Sequence, residues 1–214
     1  MTRRLIHLYA GLVLYGVSLA LMVRAELGLD PWDVFHQGLA DRIPLTFGQV
    51  VIVVGAFVLL AWIPLRQRPG LGTISNVIVI GLAVDAALAV LPPPDPMAWR
   101  ITFLVSGVVL NGVATAAYIG ARLGPGPRDG LMTGLVARTG RSVRLIRTSI
   151  EVGVLATGWF LGGTVGVGTV LYAIAIGPLV HLLLPPLTVP DRPERAVSAA
   201  GPTSRWLTGL HGSQ

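Results

Sequence analysis

Ionisable side chains inside long apolar runs are costly to bury, so they are the first candidates for chemistry in this chain. Asp85 lies in one such run and His181 in another, ninety-six residues further on. An Asp and a His in equivalent places could relay protons, since His titrates near neutrality. If they lie near helix ends, they could equally be hydrated or locally paired. Glu151 follows Arg147 by four residues and Arg144 by seven, so the three share one helical face. That face is read as an ion pair that lets a polar helix end enter a membrane, or as a gate or a contact for an anionic substrate. Asn111 and Asn76 are polar positions within apolar runs, suited to hydrogen bonding between helices or to a ligand. Asp33 and Asp129 each stand at the third place of a helix start, where a carboxylate satisfies free N–H groups. At a broken helix they could instead tune a site toward cations or protons. His7 and His36 are single and are expected at the interface. No Ser-His-Asp order, His-x-x-x-His spacing or phosphate loop occurs. There is no Cys, which excludes disulfides, thiolate chemistry and Cys-based metal sites. The reading therefore carries no catalytic residue, no metal, no cofactor and no enzymatic activity.

The elements that must position these residues come in two copies. Leu27-Gly28-Leu29-Asp30-Pro31-Trp32-Asp33 is matched by Leu123-Gly124-Pro125-Gly126-Pro127-Arg128-Asp129. Gly70-Leu71-Gly72-Thr73 is matched by Gly166-Val167-Gly168-Thr169, and Gly11 and Gly16 by Gly107 and Gly112, all at the same displacement. A fixed period marks a duplicated unit. The agreement falls on Gly and Pro, residues chosen for backbone geometry, so Gly28, Pro31, Gly124, Pro127, Gly72 and Gly168 are read as structural. Gly28 is expected to cap the preceding helix in the left-handed region. Asp30 or Gly126 then suits the N-cap, and Pro31 or Pro127 the first helical place.

Apolar runs near Leu5–Val23, Phe47–Pro64, Ile74–Leu91, Ile101–Ile119, Leu145–Leu161 and Val167–Leu184 approach the ~20 residues that cross a bilayer. The stretches Pro31–Arg42 and Pro127–Arg138 are too short and are expected to be interfacial or re-entrant half-helices. The chain is 53% hydrophobic and 12% charged, where soluble domains carry roughly twice that charged fraction. The expected fold is thus all-α: a polytopic transmembrane bundle of six spans, built as two inverted three-helix repeats. Residues 5–91 form the first repeat, 92–100 a linker, 101–184 the second repeat and 185–214 a disordered cytoplasmic tail, whose Trp206 and Leu210 could touch the membrane. The net charge of +6 rests on arginine alone. Arg3, Arg4, Arg66, Arg68, Arg122 and Arg128 onward fall on one side and Arg24, Arg42 and Arg100 on the other. The positive-inside rule then puts both termini in the cytoplasm. Arginines between apolar runs mark topology, so nucleic acid is not an expected partner. The lipid bilayer is one, and a homodimer is compatible with this reading.

The Leu27–Asp33 motif, with Gly70-Leu71-Gly72-Thr73 behind it, resembles the bacterial YczE/YyaS/YitT family of integral membrane proteins over about Leu5 to Leu184, in its YczE-like branch. The resemblance implies a fold and a location in the bacterial inner membrane, and carries over no catalytic residues. The leading functional expectation is a small secondary transporter or permease that moves a small molecule or ion by alternating access. The alternative is a non-transporting membrane partner or scaffold for an envelope or biosynthetic enzyme.

Overall fold

Apolar runs punctuated by Gly and Pro fold as eight helices among the described residues, 1–190, of the computed structural model. They are α1 (Thr2–Ala25), α2 (Pro31–Ala40), α3 (Phe47–Leu65), α4 (Leu71–Val90), α5 (Met97–Gly120), α6 (Pro127–Thr139), α7 (Val143–Phe160) and α8 (Val167–Leu187). Five of them, α1, α3, α4, α5 and α8, are long and apolar enough to cross a membrane. The chain is an all-α polytopic membrane bundle. The sixth expected span, α7, forms as an 18-residue helix but stands outside that set. Arg144, Arg147 and Glu151 in its first half make it too polar.

Small residues decide which helices meet. α1 and α5 form the central pair. A Cβ on Gly11 would lie 2.8 Å from the Tyr118 backbone N, and one on Gly107 2.6 Å from Met22 Cγ. α4 packs on α1 at Gly16, and α8 packs on α5 at Gly112 against Leu179. The half-helices cross over. α2 packs on α7, with Gly158 against Phe35, and α6 packs on α3, with Gly130 against the Trp62 ring. Each half-helix thus lies mainly on the other copy's third helix.

Polar contacts fix which ends lie together. Arg100 pairs with Glu26 at 2.5 Å, and Arg24 donates to the Leu88 carbonyl. These bonds gather the last turns of α1 and α4 with the first turn of α5. At the opposite end the Val189 N–H donates to the Gly120 carbonyl, joining the ends of α8 and α5.

The duplicated Gly motifs dock on each other's copy. Gly168 donates to the Leu27 carbonyl at 2.7 Å, and Gly72 donates to the Leu123 carbonyl at 2.8 Å. Gly28 has φ +110° and Gly124 φ +131°, a region that favours glycine. A Cβ on Gly28 would meet Gly166 N at 2.6 Å, and one on Gly124 would meet Thr73 Oγ1 at 2.9 Å. Gly28, Gly72, Gly124 and Gly168 are therefore the hinges of two matching backbone joints. The threonines complete them: Thr73 accepts from Gly70 and donates to the Pro125 carbonyl, and Thr169 accepts from Gly166.

Three local expectations are corrected. The left-handed cap of α1 is Glu26 at φ 52°, and Gly28 spends its positive φ on the docking turn instead. The Gly-x-Gly-Thr stretches form the first turns of α4 and α8, so α4 begins at Leu71, earlier than the expected Ile74, while α8 begins at the expected Val167. α8 continues through Pro185 and Pro186 to Leu187, and Val189 is buried, so the tail does not begin at residue 185. Prolines are tolerated there because the helix is ending and few interior hydrogen bonds are lost. Trp206, Leu210 and the remainder of the expected tail lie outside the described residues.

Candidate functional site

The starts of the two half-helices face one cavity of about 480 Å³. Asp30, Pro31, Trp32 and His36 reach it from the α2 segment, and Gly126, Pro127, Arg128 and Asp129 from the α6 segment. Tyr15, Tyr118 and Tyr172 supply aromatic wall from α1, α5 and α8.

Asp30 begins α2 as an N-cap. Its Oδ1 accepts from the backbone N–H of Trp32 at 2.8 Å and of Asp33 at 3.1 Å. That leaves the Asp33 side chain free for other work. Its Oδ1 meets His36 Nδ1 at 2.9 Å and Arg128 Nη2 at 3.4 Å. Arg128 Nη1 also lies 3.6 Å from Asp30 Oδ1, and its guanidinium stands over the Trp32 ring at 5.0 Å from the centroid. The two aspartates are essentially buried, whereas the Arg128 side chain is 32% exposed. Asp30 Oδ2 and Asp33 Oδ2 are buried without a hydrogen-bond partner.

These segments lie outside the spanning helices, and burial sets their titration. It pushes the Asp30 carboxyl up to about 7, with Asp33 adding to the rise and Arg128 opposing it. It pulls His36 down to about 3, assisted by Arg128. Near neutral pH His36 is therefore an uncharged hydrogen-bonding partner of Asp33. Burial likewise raises Asp129, against the charges of Arg128 and Arg147.

The sequence candidates divide between the cavity and the framework. Asp129, Glu151, His181 and Asn76 line the cavity, and Asp33 stands behind Arg128 at its wall. Arg147 lines it too and pairs with Glu151 at 2.9 Å. Arg144 does not join them at the lining. Asn111 is fully buried between helices: it donates to Ser18 Oγ and accepts from the Tyr172 hydroxyl, both at 2.9 Å. Asp85 stands apart from His181. It accepts from the Gly48 N–H at 2.8 Å and from the Thr46 hydroxyl, closing the end of α4 onto the start of α3. Its half-buried carboxylate thus serves helix-start donors of α3 and takes no part in the cavity lining.

Asp33 also departs from its expected role, because Asp30 takes the helix-start N–H groups. His36, expected at the interface, is buried at 2% exposure. His7 is half-buried and meets the Arg3 carbonyl. The sequence reading missed Arg128 as the centre of the cluster. The available signal was its departure from the repeat, a charge standing where the first copy has Trp32. Among the described residues no group of three or more His, Asp or Glu could hold a metal ion.

Comparison with known proteins sets this architecture in a family. The chain matches a family of unknown function, DUF6198, over residues 2–185. It is 40% identical over 173 residues to an uncharacterised protein of Haemophilus influenzae, covering 81% of this chain and 79% of that one. It is 37% identical over 180 residues to the uncharacterised membrane protein YczE of Bacillus subtilis, covering 83% of each. It is 25% identical over 179 residues to YyaS of the same bacterium, covering 82% of this chain and 89% of YyaS. No solved structure matches it. The docking glycines, the two half-helices and the five apolar spans thus belong to a bacterial membrane protein of the DUF6198 family, related to YczE and YyaS.

Proposed function

We propose that the protein is a small secondary transporter or permease working by alternating access, with six spans arranged as two inverted three-helix repeats. One asymmetry carries this reading. In the first copy α3 and α4 pack closely, with Gly48 against the Gly81 carbonyl and Asp85 bonded to Thr46 and Gly48. In the second copy the matching helices, α7 and α8, scarcely touch. Gly177, the mate of Gly81, would meet nothing within 4 Å. The cavity is lined on that flank by Arg147, Ile150 and Glu151 of α7 and by Gly177, Val180 and His181 of α8. Matching helix pairs, one shut and one parted around a central cavity, are what a rocking inverted repeat requires.

The six-span count rests on α7. It leaves the Thr139 end of α6 and finishes near Leu161, whose carbonyl accepts from Arg42. Its cavity-facing Arg147–Glu151 pair accounts for a spanning helix of low hydropathy. Arginine placement supports a cytoplasmic N-terminal end. The parted flank, near the starts of α7 and the end of α8, then opens inward. Reversal would bring His181 to the Ser142 start of α7, as Asp85 now meets the Thr46 start of α3.

Paired cysteines at Ser142 and His181 in this Cys-free chain test the reading. In proteoliposomes, oxidation should crosslink them and stop solute exchange, and reduction should restore it. A pair that never crosslinks, in vesicles that exchange no solute, would favour the non-transporting partner.

A further inference from the structure

The cavity holds more carboxyl groups than guanidiniums. Asp30, Asp33, Asp129 and Glu151 are served by two guanidiniums, Arg128 and Arg147. Arg147 is taken by Glu151. Arg128 is shared between Asp30 and Asp33 at 3.6 and 3.4 Å, distances longer than a close charge-assisted bond of roughly 2.7–2.9 Å. Both acidic side chains keep one oxygen without a partner, although each is at least 98% buried. Trp32, Tyr15 and Tyr172 lie around them, and aromatic faces attract cations. Arg128 shows the arrangement in use: its guanidinium stands over the Trp32 face and against the acidic pair. It is the partly exposed member of the cluster, so it is the one able to swing away. The matching place to Asp30 in the second copy is Gly126, so there is a single acidic anchor of this kind.

We propose that the cavity binds a small organic cation, an amidinium, guanidinium or ammonium compound, which takes the place of the Arg128 side chain against Asp30 and Trp32. Arg128 is then a tethered competitor that holds the acidic pair when the site is free. The proposal deepens the transporter reading and names its substrate class.

The test is calorimetric titration of the full-length protein in zwitterionic nanodiscs with three compounds of one shape: benzamidinium, benzamide and benzoate. Benzamidinium should bind at least tenfold more tightly than the neutral amide, and benzoate should not compete with it. Asp30→Asn should weaken benzamidinium at least tenfold, and Arg128→Ala should tighten it severalfold. Equal binding of the three compounds, or preference for benzoate, overturns the proposal. So does loss of benzamidinium binding in a folded Arg128→Ala protein. The wild-type series decides even where a variant fails to fold. Benzamidinium binding with no flux in proteoliposomes would leave the site standing and remove the transporter reading. Flux of benzoate without benzamidinium binding would do the reverse.

Discussion

Trp32 and Arg128 hold the same place in the two copies and stack on each other, cation over ring, at 5.0 Å. Under the proposed inverted-repeat arrangement, a residue that touches its own repeat mate lies on the axis relating the copies. The position where the duplicated motif exchanges an aromatic for a charge lines the cavity from both half-helices.

Arg128→Gln should destabilise the fold by about 1–3 kcal/mol. That is below the ~3–5 kcal/mol of a fully buried pair, because the side chain is about one-third exposed. The cost comes from Asp30 and Asp33, left without their counter-charge. Adding Asp33→Asn should recover most of it. Thermal unfolding in detergent measures both, and a double variant no more stable than the single one would mean that packing on Trp32 is the larger effect.

Asp30→Asn should change how stability depends on pH. Asp30 is raised from 3.8 to about 7, so its favourable contribution is complete below pH 4 and is lost as pH rises through 7. His36 runs the other way: lowered from 6.5 to about 3, it loses stability as pH falls through that window. Asp33, Arg128, Tyr15 and Tyr172 also face Asp30. The comparison is therefore Asp30→Asn against wild type at each pH, with Asn still able to cap the helix. The variant should gain on the wild type between pH 4 and 7, by an amount on the order of a few kcal/mol. A pH-independent difference would mean that Asp30 is not the group titrating.

Gly28→Ala and Gly124→Ala should each cost about 1–3 kcal/mol, the range for forcing atoms into a packed site, with positive φ adding to it. Gly177→Ala should be nearly neutral, because nothing lies within 4 Å of its Cβ position. Melting temperatures of the three variants test the contrast. Equal losses at all three would indicate a general sensitivity of glycine positions.

Single cysteines report the sides of the membrane. Gln67 and Thr139 should be shielded from an impermeant thiol reagent in intact cells, and Pro94 should be labelled. Labelling at Gln67 from outside would remove the six-span arrangement and its cytoplasmic termini.

Much of the framework was legible in the sequence because it rests on residues with steric signatures. The period placed Gly11, Gly16, Gly107 and Gly112 at helix contacts, and Pro31 and Pro127 at helix starts. The crossed docking was not legible. Its bonds run from the Gly72 and Gly168 N–H groups to the Leu123 and Leu27 carbonyls, and backbone groups leave no trace in residue type. The acidic cluster was half legible. Asp33 and Asp129 stood out as a pair, but which carboxylate caps the helix depends on the turn before it, and Asp30 won that place. His36 carried no signal of burial, because only the tertiary fold brings α7 and Arg128 over its helix.

The crossed joints also constrain synthesis. The Gly70–Thr73 turn waits for the Leu123–Pro127 loop, and the Leu27–Pro31 loop waits for Gly166–Thr169, close to the end of the described chain. The first half therefore enters the bilayer with its share of these two joints, the Gly72 N–H and the Leu27 carbonyl, still unmatched. It depends on translation of the second half to satisfy them, as a lock that closes only when its last piece arrives. Two halves expressed as separate polypeptides should accordingly be degraded alone and recovered together.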